Sequence, residues 1–156
     1  MTGGRAAGSW GGPRARPWLL VGYDQHAASH QAVLVAAELA RVLGAGVLLL
    51  HVIDLADYPA DPEAAGWESA SAELLLAQRR EAERLLAGTG VEWNYRIVQD
   101  DPAQALTQVA QELDALFIVV GASGRGLAQR LWHGSVPQML VRRQCKPVLV
   151  VPAPAR

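Results

Sequence analysis

Short apolar segments alternate with longer amphipathic segments along the chain. Apolar or alternating stretches lie at residues 18–22, 47–53, 92–98, 116–120 and 147–151. Between them, apolar side chains recur at helical spacing over residues 27–43, 68–87, 102–113 and 136–143. Short apolar or period-two stretches predict strands, whereas a period of about 3.6 residues predicts amphipathic helices. The pattern therefore predicts five strands that alternate with four helices.

Capping residues mark where several of these elements begin and end. Gly44 follows the first helical stretch, and Gly88 and Gly90 follow the second, a position at which glycine commonly ends a helix. Asp101 and Pro102 match an N-cap aspartate followed by proline at the first helical position. We therefore expect the third helix to begin at Pro102.

The element order indicates an α/β fold. Apolar strands that alternate with amphipathic helices are typical of a parallel sheet covered by helices on both faces, as three α/β/α layers. The period of two within residues 92–98 indicates a strand with one solvent-facing side, as near a sheet edge. In such sheets ligands bind beyond the carboxyl ends of strands, where the strand order reverses. Two segments qualify, Gly22–His26 and Gly121–Ser135.

Composition narrows the class of protein. The chain has 156 residues, 51% apolar and 19% charged, which suits one globular domain. We expect a flexible N-terminal tail over residues 1–16 and the domain over residues 17–154. No secretory pattern is visible and the apolar runs are too short to cross a bilayer, so we expect a cytoplasmic protein without a membrane partner. A net charge of −1 does not favour nucleic acid as a partner.

The second candidate segment is rich in glycine and ends at a helix. Gly121, Gly124 and Gly134 lack a Cβ atom, which allows the backbone to approach a ligand closely. Ser135 precedes the predicted helix, whose free N–H groups and dipole favour an anion. We expect phosphate oxygens at Gly124, Gly134, Ser135 and Val136. A glycine-rich turn with a capping serine is the alternative.

Two common nucleotide motifs are absent. The Walker pattern GxxxxGK[ST] does not occur, and the single lysine, Lys146, lies outside the glycine segment. GxGxxG does not follow the first strand either. Arg125 and Arg130 could supply the positive charge for phosphate, since arginine suits bidentate contacts, or could simply face solvent.

The spacing G-x2-G-x9-G-[ST] resembles the ATP-binding motif of universal stress proteins. The resemblance continues through WLLVGYD, LLLHVID, the segment from Asp100 to Gly126, GSV and KPVLVVP, in family order over about residues 18–154. It implies a five-stranded parallel sheet of order 3-2-1-4-5, of the adenine-nucleotide α-hydrolase-like type. It also implies an ATP-binding stress or signalling protein that is not an enzyme beyond slow ATP hydrolysis at most.

The resemblance further implies residue roles. Asp24 matches the aspartate near the ribose and any Mg²⁺, and Val52 matches the residue that borders adenine. The expected nucleotide-binding set is Gly22, Asp24, Val52, Gly121, Gly124, Arg125, Gly134, Ser135 and Val136. No motif for a catalytic triad, a metalloprotease or a Cys/His cluster occurs, so binding is favoured over turnover.

Two departures from the family pattern bear on affinity. The family's Asp-Gly-Ser is Asp24-Gln25-His26 here, and His26 either contacts phosphate or is an exposed loop residue. Pro137 stands where a second hydroxyl is common, and proline cannot donate a hydrogen bond. These departures keep open an alternative, a dimeric interaction protein that does not bind nucleotide.

The last strand predicts the assembly. Val148–Val151 is apolar and would be an edge in the order 3-2-1-4-5. Bare apolar edges are usually paired or covered. The family resemblance implies pairing of this strand across a two-fold axis, so we expect a homodimer.

Overall fold

The computed structural model describes residues 16–53, 67–122 and 146–155, with only the backbone described for residues 67–71. The predicted helix at 136–143 lies outside these ranges, and so does the expected tail at 1–16 except for its last residue, Arg16. The elements are β1 (Trp18–Tyr23), α1 (Ala27–Leu43), β2 (Gly46–Ile53), α2 (Trp67–Leu86), β3 (Trp93–Gln99), α3 (Pro102–Glu112), β4 (Ile118–Ala122) and β5 (Val148–Pro152).

The five strands form one parallel sheet in the order β3-β2-β1-β4-β5, which confirms the expected fold class and topology. Helices α1 and α2 pack on one face, over side chains such as Val21 and Leu49. Helix α3 packs on the other face, over Leu20 and Leu50. Every residue of β1 is buried, because β1 is central and covered on both faces.

The predicted boundaries follow local chemistry. Gly44 ends α1 with φ 65°, the left-handed conformation that glycine adopts without a Cβ penalty. Asp101 caps α3, with its carboxylate accepting the Gln104 N–H at 3.0 Å, and Pro102 is the first helical residue. Strand β3 lies at a sheet edge, as its period of two predicted, but its exposure alternates only from Trp93 to Arg96, because Ile97 is 41% exposed. None of the described helices has the length and apolar character needed to span a membrane.

Strand β4 begins and ends later than predicted. It runs from Ile118 to Ala122, whereas Leu116, which the apolar run places in the strand, is 42% exposed and precedes it. Gly121 was expected in the loop and instead belongs to the strand, in register with Val151 of β5. The reason is nonlocal, because pairing with β5 extends the ladder by two residues beyond the apolar run.

Candidate functional site

The carboxyl ends of β1, β2 and β4 meet at one edge of the sheet. Tyr23 of β1 is in register with His51 of β2, and the β1–β4 register places Gly121 at the same level. Asp24 and Val52 follow directly after these positions. The strand order reverses between β1 and β4, so these residues surround the point where α/β sheets bind ligands.

A buried serine holds the turn between β1 and α1. The Asp24 backbone N–H donates to Ser29 Oγ at 2.9 Å, and the Ser29 hydroxyl lies 3.4 Å from the Gly22 carbonyl oxygen. Ser29 is only 3% exposed and belongs to the first turns of α1. The position of Asp24 is therefore set by the packed helix.

His26 contacts the Asp24 carboxylate through both its backbone N–H and its ring. Asp24 Oδ1 accepts the His26 backbone N–H at 2.8 Å and lies 3.0 Å from His26 Nδ1. The second contact is close, but its angle is not that of a good hydrogen bond. His26 occupies the N-cap position of α1 without capping the helix, because its ring turns towards Asp24. The two side chains remain 38% and 23% exposed, respectively, and so are accessible to a ligand.

Gly121 brings β4 against the first turn of α1. A Cβ atom built on Gly121 would overlap the carbonyl group of Ala28 and stand 2.6 Å from the Ser29 nitrogen. The absence of a side chain at this position is therefore required by packing alone. The close packing of β4 against α1 also places Gly121, where the glycine segment starts, beside the Asp24 turn.

The remaining predicted residues divide into two groups. Gly22 is buried in β1 opposite Leu50, and Val52 is half-buried and packs against the core on the α3 side. Five predicted ligand contacts lie outside the described residues, namely Gly124, Arg125, Gly134, Ser135 and Val136. The described part of the site is thus Gly22, Asp24, Val52 and Gly121.

Sequence reasoning missed a buried polar cluster below the site, on the α1 and α2 side. The Tyr23 hydroxyl donates to the Gln78 carbonyl oxygen at 3.0 Å, and the Tyr95 hydroxyl lies 3.2 Å from His51 Nδ1. The rings of Tyr23 and Tyr95 meet edge to face at 6.0 Å, and His30 stacks on Tyr23. The only available signals were one histidine in an apolar strand and one tyrosine on the inward side of an alternating strand.

Burial controls the protonation of this cluster. It raises the pKa of Tyr23 to about 12, with the carboxylates of Glu81 and Asp24 adding to the effect. It raises the pKa of Tyr95 as well. Burial lowers the pKa of His51, and the negative charge of Asp24 opposes this shift. Tyr23, Tyr95 and His51 are therefore neutral near pH 7, and a hydrogen bond joins the Tyr95 hydroxyl to His51 Nδ1.

Asp24 is the predicted metal ligand, and it lies within the described ranges. No group of three His, Cys, Asp or Glu side chains converges there. One carboxylate fits Mg²⁺ only when phosphate oxygens and water supply the other ligands.

Comparisons with known proteins agree with this geometry. The sequence model of the universal stress protein family matches residues 19–152. A universal stress protein of Methanocaldococcus jannaschii is 28% identical over 142 residues, spanning 88% of this chain and 83% of its own length. A universal stress protein of Thermus aquaticus is 33% identical over 135 residues, spanning 85% of this chain and 96% of its own length. A solved universal stress protein in complex with cAMP shares 28% identity and a TM-score of 0.64, covering 89% of this chain and 98% of its own.

Proposed function

The chain belongs to the universal stress protein family, and we propose that it binds an adenine nucleotide at the carboxyl edge of its sheet. The observation that carries the proposal is the position of Asp24 at the point where the strand order reverses, held by Ser29 and beside the start of the glycine segment. A carboxylate at such a point is suited to accept hydrogen bonds from ribose hydroxyls.

Two further observations support an adenine nucleotide. The relative solved with cAMP has the same fold at 28% identity over nearly its whole length, and its ligand is an adenine nucleotide. The half-buried Val52 supplies an apolar surface at the same edge, suited to a base. Phosphates would lie at Gly124, Gly134, Ser135 and Val136, where the sequence predicts glycine-rich backbone and a helix N-terminus, both of which favour anions.

The proposal specifies ATP as the ligand, with Mg²⁺ held mainly by its phosphates and by Asp24. Its chemical role is binding, with slow hydrolysis at most. A fast ATPase needs a positioned base or a cluster of metal ligands. Among the described residues, Asp24 is the only carboxylate that directly follows the carboxyl end of β1, β2 or β4, and it is already engaged with His26.

Calorimetry on nucleotide-free protein tests the proposal. We expect saturable ATP binding with a Kd below the millimolar range, and weaker binding by Asp24→Ala. Asp100→Ala is a matched control, since it removes a carboxylate at the carboxyl end of β3, away from β1. The proposal is wrong if ATP, ADP and AMP all fail to bind, or if Asp24→Ala binds them as tightly as the parent.

We further propose a homodimer formed through β5. Val148 and Leu149 are 37% and 36% exposed on this edge strand. Unpaired apolar edges promote association. If no nucleotide binds, this surface favours the alternative function of a dimeric interaction protein.

A further inference from the structure

Ser29 connects α1 to the end of β1. Its Oγ accepts the Asp24 backbone N–H at 2.9 Å, and its hydroxyl donates to the Gly22 carbonyl oxygen at 3.4 Å. One hydroxyl can make both contacts at once, because it carries one proton and two lone pairs. Ser29 therefore contacts both the last part of β1 and the residue that directly follows the strand.

The backbone around Ser29 is itself held in place. A Cβ atom built on Gly121 would stand 2.3 Å from the Ala28 carbonyl carbon and 2.6 Å from the Ser29 nitrogen, so β4 lies directly against this peptide group. The Ser29 N–H also donates to the His26 carbonyl oxygen at 3.0 Å, at the start of α1. The hydroxyl that contacts Asp24 is thus carried by backbone that packs against β4 and belongs to a helix.

Ser29 is too deeply buried to contact a ligand, since it is only 3% exposed, whereas the Asp24 side chain is 23% exposed. We propose that Ser29 is a positioning residue, which sets the affinity for nucleotide by fixing the backbone that carries the Asp24 carboxylate. This inference rests on the proposed nucleotide-binding function and adds to it the residue that orients the carboxylate.

The physical reason is preorganisation of the site. The His26 backbone N–H orients the carboxylate within the turn, whereas Ser29 ties the turn to the packed helix. Without the Ser29 oxygen, the Asp24 N–H would lose this acceptor, and the turn could adopt several positions. Ordering the turn again when a ligand binds would then reduce the affinity.

Ser29→Ala removes the hydroxyl and preserves the helix, because alanine has the highest helix propensity. Calorimetry should show ATP binding about fivefold to tenfold weaker than in the parent, a factor that corresponds to one hydrogen bond. Amide hydrogen exchange of the ligand-free protein, followed by NMR, should become faster at Asp24. It should stay unchanged at Gln104, whose N–H is held by the Asp101 cap.

Thr107→Ala is the matched control. Thr107 also carries a buried helical hydroxyl, is 5% exposed and donates to the Ala103 carbonyl oxygen at 2.8 Å, but it lies on α3. Its removal should lower the unfolding free energy in urea without changing the Kd for ATP. A Ser29 with a purely structural role would behave in the same way as Thr107.

A second comparison asks whether Ser29 acts through Asp24. Ser29→Ala added to Asp24→Ala should change the Kd by less than about twofold, because no carboxylate remains to be positioned. If Asp24→Ala binds too weakly to measure, the contrast between Ser29→Ala and Thr107→Ala decides. If Ser29→Ala does not fold, Ser29→Cys replaces it in every measurement, since a thiol is a much weaker hydrogen-bonding group.

The inference is overturned if the folded Ser29 variant binds ATP as tightly as the parent, or if Thr107→Ala weakens binding by the same factor. It is also overturned if Ser29→Ala keeps its full effect in the Asp24→Ala background. Absence of nucleotide binding by the parent would instead overturn the proposed function. Hydrogen exchange at Asp24 would then still report whether Ser29 holds the turn.

Discussion

The backbone of Ala28 occupies the space that a Cβ atom on Gly121 would need. Gly121→Ala should therefore push β4 away from α1, and overpacking of this kind costs about 1–3 kcal/mol. Gly46→Ala is the comparison, since its Cβ would meet the Trp18 ring at 2.7 Å, and a side chain can move more readily than backbone. Urea denaturation should rank Gly121→Ala as the less stable of the two. Equal stability of Gly121→Ala and the parent would contradict this packing.

The buried His51 predicts a loss of stability in acid. Burial holds its pKa below the ordinary value of about 6.5, so the unfolded chain binds the proton more readily than the folded one. Stability from neutral His51 is complete above about pH 6.5 and declines as the pH falls through the lower, folded pKa. The groups that face it are Tyr23 and Tyr95, with Asp24 as the nearby charge.

Denaturation of the parent and of His51→Gln across this acidic range checks that prediction. Glutamine can still accept from the Tyr95 hydroxyl but does not titrate. The difference in unfolding free energy between the two proteins should change with pH below about 6.5. A difference that stays constant over the whole range would show that His51 is not responsible.

Tyr23 predicts the opposite behaviour in alkali. Its pKa is raised to about 12, so the neutral phenol stabilises the fold below the ordinary pKa of about 10, and that contribution is lost as the pH rises towards 12. Tyr23→Phe removes the hydrogen bond to the Gln78 carbonyl and should cost about 1 kcal/mol at pH 7. Thermal melting, followed by circular dichroism at neutral and alkaline pH, measures both effects. A gap between parent and variant that does not narrow in alkali would be inconsistent with a buried phenol.

Exposed β5 predicts the effect of a charge on assembly. Leu149→Lys places an ammonium group on the edge strand and should convert a dimer into a monomer at micromolar concentration. Leu76→Lys on α2 is a matched control, because Leu76 is an apolar side chain with 55% exposure, away from the sheet edge. Light scattering gives the masses directly. A monomeric parent, or a dimer that survives Leu149→Lys and not Leu76→Lys, would exclude β5 as the interface.

Much of the fold was predictable because its signals are local. The helix boundary at Gly44 and the cap at Asp101 each depend on a few adjacent residues, and both were confirmed. The alternation in residues 92–98 correctly indicated an edge strand. The order 3-2-1-4-5, however, came from the family resemblance, since periodicity does not encode which strands are neighbours.

The site was predictable only as positions along the chain. Asp24 and Gly121 were identified by motif, but the structural reason for Gly121 is its contact with Ala28, more than ninety residues earlier in the sequence. The Tyr95–His51 hydrogen bond likewise joins residues 44 positions apart. No window of neighbouring residues contains such pairs.

The sequence by itself determined the order of strands and helices, their caps and the positions of the glycines, because these depend on short-range periodicity and backbone preference. Only the tertiary structure decided that Gly121 belongs to β4, that Ser29 holds the Asp24 turn and that the His26 ring turns to Asp24. These three features depend on contacts between residues of different elements. The packing of α1 onto the sheet brings those residues together, and no local sequence pattern specifies how α1 packs.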